Sequence, residues 1–134
     1  MATWEDVRRI ALGLPETFER TSWGSLGWRV KHRESGKLFV WERPLGKRDR
    51  EQLGDAAPDG PILGVRVPDL GAKDAVLASD PDVYFTIPHF GGYPAVLVRL
   101  DRIDVAALEE LVVEAWLCRA AKSAVKRYLA EHPL

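Results

Sequence analysis

The chain has 134 residues, 46% hydrophobic and 29% charged, with a net charge of −1. That composition excludes disordered and fibrous classes, and the length fits one domain, 1–134, that buries about two thirds of its unfolded surface. The small net charge conceals an asymmetry: residues 20–50 carry nine bases against three acids, and residues 51–110 four bases against eleven acids. One face is therefore expected to attract anions while the whole molecule does not.

Thr3 followed by Asp6 resembles a capping box, and Trp4, Val7, Ile10, Ala11 and Leu14 recur at helical spacing. An opening amphipathic helix is predicted, stopped by Gly13 as a left-handed cap and by Pro15. No basic region precedes an apolar core here, so no secretory leader is expected and the default location is cytoplasmic. Residues 17–23 carry a weak pattern, a short strand or an extended link. Leu26, Trp28 and Val30 then alternate with Gly27, Arg29 and Lys31, a strand with its bases on one face. A turn over 32–36 leads to a return strand over 37–43, apolar on both faces at its centre and so interior. Residues 44–61 lack periodicity and read as a long loop, mobile unless function orders it.

A strand over 62–67 and a short helix over 70–78, capped by Asp69, come next. Two strands, 83–87 and 95–100, then flank the connection Pro88-His89-Phe90-Gly91-Gly92-Tyr93-Pro94. Phe90 and Tyr93 are expected to be partly exposed there, or to roof a pocket. Asp104 caps a final helix running to about Ala130, whose apolar stripe changes sides near Trp116. Either the helix bends or breaks at that point, or it overshoots the sheet. No run approaches the roughly 18 apolar residues of a membrane span, so no membrane partner is expected.

Catalytic motifs fail on spacing. Gly24-Ser25-Leu26-Gly27 is not a nucleophile elbow, and Gly46-Lys47 has Trp41 where a phosphate loop needs glycine. Cys118 has no cysteine partner, which excludes an internal disulfide and fits a reducing compartment. His32, His89 and His132 lie in separate elements without ligand spacing, so neither a metal nor a cofactor is expected. Asp80 and Asp82 flank Pro81 as turn formers. Trp4, Trp28 and Trp41 fall on apolar faces and read as core, whereas Trp23 stands outside any pattern. Arg29, Lys31, Arg33 and Lys37 cluster on one hairpin, and Arg119, Lys122 and Lys126 form a helix stripe. Cations with nearby rings are what nucleic-acid surfaces use, although a pI near 6.3 demands that the cations be localised.

Several strings resemble the MmcQ/YjbR family of small bacterial proteins: Leu14-Pro15-Glu16 closing the first helix, Val30-Lys31 through Gly36-Lys37-Leu38-Phe39, the strand at 83–87, and the helix after Asp104. The resemblance implies a two-layer α+β sandwich of the frataxin (CyaY-like) kind, an antiparallel sheet with the first and last helices on one face. It also implies DNA binding. The chain departs from many members at His89-Phe90-Gly91-Gly92-Tyr93, where they carry a Lys- or Arg-containing segment and Trp. It also lacks a frataxin-like acidic ridge, since Arg8 and Arg9 follow Glu5 and Asp6.

Two readings follow. The first is a non-enzymatic DNA-binding protein, with Arg29, Lys31, Arg33, Lys37, Arg119, Lys122 and Lys126 on phosphates and His89 near bases. The second is a sequestering or resistance protein with a pocket for a small aromatic ligand under loop 88–94, lined by Trp23, His89, Phe90 and Tyr93. The expected assembly is a monomer or weak homodimer.

Overall fold

The computed structural model describes residues 1–33 and 36–133; Glu34 and Ser35, within the turn expected over 32–36, lie outside the described residues. Thr3 caps α1 (Trp4–Leu12): its Oγ1 accepts from Asp6 N at 3.3 Å, and Asp6 Oδ2 accepts from Thr3 N at 2.9 Å. Gly13 does not take the left-handed conformation expected of it. Its φ is −76°, and the positive φ falls on Glu16 at 60°. Thr17 Oγ1 donates to Ala11 O and Leu14 O at 2.8 and 2.9 Å, so the open carbonyls are met by a side chain instead of a glycine turn.

The weakly patterned segment is a strand. β1 (Thr17–Ser22) pairs antiparallel with β2 (Ser25–Val30), and the two-residue link Trp23-Gly24 has φ of 55° and 78°. Positive φ at both central positions is the turn whose twist suits a tight hairpin. β3 (Lys37–Glu42) is interior, as its apolar centre requires. The long loop expected over 44–61 is corrected to a short helix, α2 (Lys47–Leu53), followed by a 3₁₀ turn at Gly54–Ala56. The helix starts because Asp49 Oδ2 accepts from Gly46 N at 3.0 Å and pairs with Arg43 Nη1 at 3.3 Å.

β4 (Ile62–Arg66) leads to α3 (Leu70–Ser79), where Asp69 Oδ1 accepts from Ala72 N at 2.7 Å. β5 (Tyr84–Phe85) is shorter than expected, and β6 (Ala95–Arg99) matches its reading. Asp104 caps α4 (Val105–Arg119) through Ala107 N at 2.7 Å. The expected single helix then breaks: Ala120 and Ala121 are extended, and α5 (Lys122–Glu131) starts a new direction. The break accounts for the change of apolar side. Before it, Trp116 is buried under α4; after it, Tyr128 turns back to pack on Trp116 with ring centroids 5.1 Å apart.

The strands form one antiparallel sheet in the order β1-β2-β3-β4-β6-β5. α1 and α4 cover one face, burying Val7, Trp28, Val40, Val65, Val98, Leu108, Val112 and Trp116 together. A smaller core lies on the other face, where Phe85, Ile87, Phe90 and Leu97 meet Trp41, Leu45 and Leu53. That second core covers the β4-β6-β5 half. The outer face of β1-β2-β3 is left open. The protein is thus α+β, with its first helix and α4 on one side of an antiparallel sheet.

Candidate functional site

Pairing register decides what the open half presents. Arg20 lies opposite Gly27, Gly27 opposite Trp41, and Trp41 opposite Gly64, so these side chains share one face. The two glycines leave room for a ring between them. A Cβ on Gly64 would collide with Cε2 of the Trp41 indole, which therefore lies across that glycine. The result is a cleft of about 460 Å³ with Trp41, Gly27 and Leu38 at its base, and Arg20, Trp23, Arg29 and Arg43 among its other lining groups.

Charge in this cleft is one-sided. Glu42 is its acid, and Glu42 Oε1 is already committed to Leu26 N at 2.5 Å. Arg43 pairs with Asp49, but among the described residues neither Arg20 nor Arg29 makes an ion pair. Trp23 is 103% exposed, so nothing in the fold rests on its ring.

The loop 88–94 meets its expectation at Tyr93, which is partly exposed, and departs from it at Phe90. Phe90 is 5% exposed, packed in the second core 6.4 Å from Trp41 between ring centroids. Tyr93 is 38% exposed, and its ring meets Phe90 edge-on at 5.5 Å. Neither ring lines the Trp23 cleft, so the pocket expected under the loop, shared by Trp23, His89, Phe90 and Tyr93, is corrected to a cleft beside Trp41. The physical reason is that the loop folds down onto α2 and the sheet, spending its aromatic surface on packing.

Lys73 holds the loop down. It is buried in the middle of α3, and its Nζ donates to Phe90 O at 2.7 Å and to Tyr93 O at 2.9 Å. Burial holds its ammonium below the usual lysine value. Lys73→Met keeps the length but removes both charged hydrogen bonds, leaving Phe90 O and Tyr93 O with their backbone donors Tyr93 N and Ala95 N alone, so a loss of roughly 1–3 kcal/mol is expected in urea denaturation. An unchanged midpoint would mean the loop is held by Phe90 alone.

The remaining cations do not converge on the cleft. Lys31 and Arg33 are exposed beyond the end of β2, Lys37 begins β3 half-buried, and Lys122 and Lys126 are exposed on α5. His89 is exposed at the start of the loop, 6.0 Å from Phe90 between ring centroids. Arg119, half-buried at the end of α4, donates from Nε to Leu38 O at 3.2 Å. Of the expected residues, then, Arg29 and Trp23 come together. Arg20, Arg43 and Trp41 join them without having been singled out. For Arg20 the sequence offered only its place in the basic stretch 20–50, since residues 17–23 read as a short strand or an extended link. Trp41 was read as core, and it is half-buried on the second face instead.

Beside Arg119, Cys118 is half-buried with Sγ donating to Ala115 O at 3.2 Å. Burial pushes its thiol above the usual value, against the pull of the Arg66 and Arg119 guanidinium groups. Thiolate is therefore scarce at neutral pH. Iodoacetamide is expected to react more slowly than with a free cysteine, and the rate to go on rising beyond the pH where a free thiol levels off. A plateau at lower pH would show that the arginines outweigh burial. Among the described residues no His, Cys, Asp or Glu side chains gather in a metal-holding group, and no helix is long and apolar enough to cross a membrane.

Comparison with known proteins sets this arrangement in a family. A family model described as YjbR matches residues 12–118. Uncharacterised proteins of Mycobacterium bovis and of two Mycobacterium tuberculosis strains are each 55% identical over 133 residues, covering 97% of this chain and 98% of theirs. Among solved structures, a Deinococcus radiodurans protein with a DUF419 domain aligns with a TM-score of 0.67, covering 100% of this chain and 90% of its own. Its identity of 20% makes that a likeness of fold. Matched over most of its length by the family model and nearly end to end by its mycobacterial relatives, the chain belongs to the YjbR family.

Proposed function

We propose that this protein is a non-enzymatic DNA-binding protein that takes a single strand on the open face of β1-β2-β3. The observation that carries the reading is Trp23, a large ring 103% exposed on a residue with φ of 55°. Bulky residues rarely occupy that backbone region, and this one offsets none of the cost by burial. A ring so placed suits base stacking, which is worth about 1–3 kcal/mol per base. Arg20 and Arg29 beside it supply cations for phosphates. A duplex fits less well there: the open face presents strands, and α1 and α4, the helices packed on β1-β2-β3, lie on the opposite face of the sheet.

Fluorescence anisotropy of a labelled oligonucleotide tests this at low salt. Binding should be tighter for the single strand than for its duplex and should weaken linearly in log salt, by about 0.7 per neutralised phosphate. Absent or salt-insensitive binding would overturn it. A small planar aromatic anion is the second reading, favoured by the cleft volume of about 460 Å³, which lies within the usual range of small-molecule sites. A compound that raises the melting midpoint while oligonucleotides fail to bind would put it first.

A further inference from the structure

Arg66 and Arg119 lie near each other at one end of the sheet, away from the Trp23 cleft. Arg66 closes β4, and the register Val40↔Val65 puts Leu38 beside that end, where Arg119 Nε donates to its carbonyl. Two cations are thus brought close from opposite layers, and among the described residues neither has a carboxylate partner. Burial and the facing Arg66 both hold Arg119 below its usual value. Arg66 carries a second irregularity: its Nε is buried with no hydrogen-bond partner. Leaving such a donor unmet is costly, and native structures do so rarely.

Tyr93 is the group lying over Arg66. Its ring is 4.9 Å from Arg66 Cζ, and its hydroxyl accepts from Arg66 Nη1 at 3.1 Å. The ring is 38% exposed and follows Gly91 and Gly92, while Lys73 pins the Tyr93 carbonyl. Its backbone is therefore held, and turning the side chain outward requires only that it give up its contacts with Phe90 and Arg66.

We propose that Arg66 and Arg119 form a phosphate-binding site, closed in this structure by Tyr93, whose hydroxyl stands where a phosphate oxygen would sit. With Tyr93 turned out, Arg66 Nη1 loses its acceptor and the Nη1–Nη2 edge becomes the planar fork that phosphate accepts, and Arg119 adds a second charge. The phosphate belongs either to a nucleic-acid strand or to a free phosphate ion. The site does not depend on strand binding in the cleft.

The test follows the Nε–H resonances of Arg66 and Arg119 by NMR while inorganic phosphate is added against chloride at matched ionic strength. Both should shift saturably with phosphate and not with chloride, and Arg119→Gln should abolish the Arg66 shift. Tyr93→Ala removes the closed state, so its midpoint should fall about tenfold if that state dominates in the wild type. Tyr93→Phe, which keeps the ring, should fall between. A 5′-phosphorylated oligonucleotide and its unphosphorylated twin identify the source: a shift confined to oligonucleotides assigns the site to strand phosphates, and competition by free phosphate assigns it to the ion. Shifts that chloride reproduces, that survive Arg119→Gln, or that keep one midpoint in Tyr93→Ala overturn the site. Strand binding that leaves Arg66 and Arg119 unmoved while free phosphate shifts them assigns the site to the ion and leaves the proposed function intact.

Discussion

Replacing Trp116 by alanine is expected to lower the unfolding free energy by about 3–5 kcal/mol, the range for truncating a buried tryptophan. Trp116 is fully buried, its Nε1 donates to Pro15 O at 3.0 Å, and Tyr128 packs on its ring. One side chain therefore joins α4 to the end of α1 and to α5. Truncation leaves a cavity, an unmet carbonyl and a second helix without its anchor. Trp116→Phe separates these effects: it keeps most of the volume and orphans Pro15 O, so the loss should shrink to about 1–3 kcal/mol. Urea denaturation monitored by circular dichroism gives both numbers. Amide exchange should also show α5 losing protection first. Equal losses for the two variants would mean that packing is not what Trp116 contributes.

Reversing two charges in the cleft is expected to do the opposite, changing binding and not folding. Arg20 and Arg29 line the cleft and have no ion pair among the described residues. Arg20→Glu, at an exposed position, should therefore cost within about 0.5 kcal/mol, and Arg29→Glu, half-buried but without an ion pair to lose, roughly 1 kcal/mol. For oligonucleotide binding the effect should be large: at least about tenfold at low salt, with the salt slope lower by roughly 1.5, as expected from losing two single-strand phosphate contacts. Trp23→Ala should weaken binding by the stacking contribution, about 1–3 kcal/mol, and leave the salt slope unchanged. A slope that falls in Trp23→Ala and not in the arginine variant would invert the assigned roles.

The parts of this fold that were legible in the sequence are those set by local chemistry. The caps at Thr3, Asp69 and Asp104 sit where side-chain oxygens precede helical spacing. The change of apolar side near Trp116 correctly marked a discontinuity, and the break falls at Ala120 and Ala121, four and five residues further on. α2 was missed because its seven residues contain one large apolar side chain, Leu53, and its start depends on Arg43 and Asp49 meeting in space. Gly13 was over-read: glycine permits a left-handed cap but does not require one.

The candidate site was harder to read for a related reason. Alternation in β3 shows that Trp41 is on an apolar face but not which face the helices cover, and that depends on strand order. Arg20 lay in a strand whose neighbouring Glu19 enters a partly buried ion pair: Glu19 Oε1 accepts from Arg8 Nε at 2.8 Å and from Trp28 Nε1 at 3.0 Å. That network replaces the apolar alternation by which an edge strand is usually recognised. Lys73 gave no sign at all, since a lysine within a helix ordinarily reads as solvated. Trp23 was different. It fitted no pattern, and that misfit was the one sequence signal pointing to the open face.

Chemical-shift mapping with a short single-stranded oligonucleotide tests the central claim most directly. Binding at the open face predicts that the Trp23 indole, Gly27, Arg29, Leu38 and Trp41 shift together and saturate together, while the amides of α4 and α5 stay in place. Shifts centred on Lys122 and Lys126, with the cleft unmoved, would contradict the assignment.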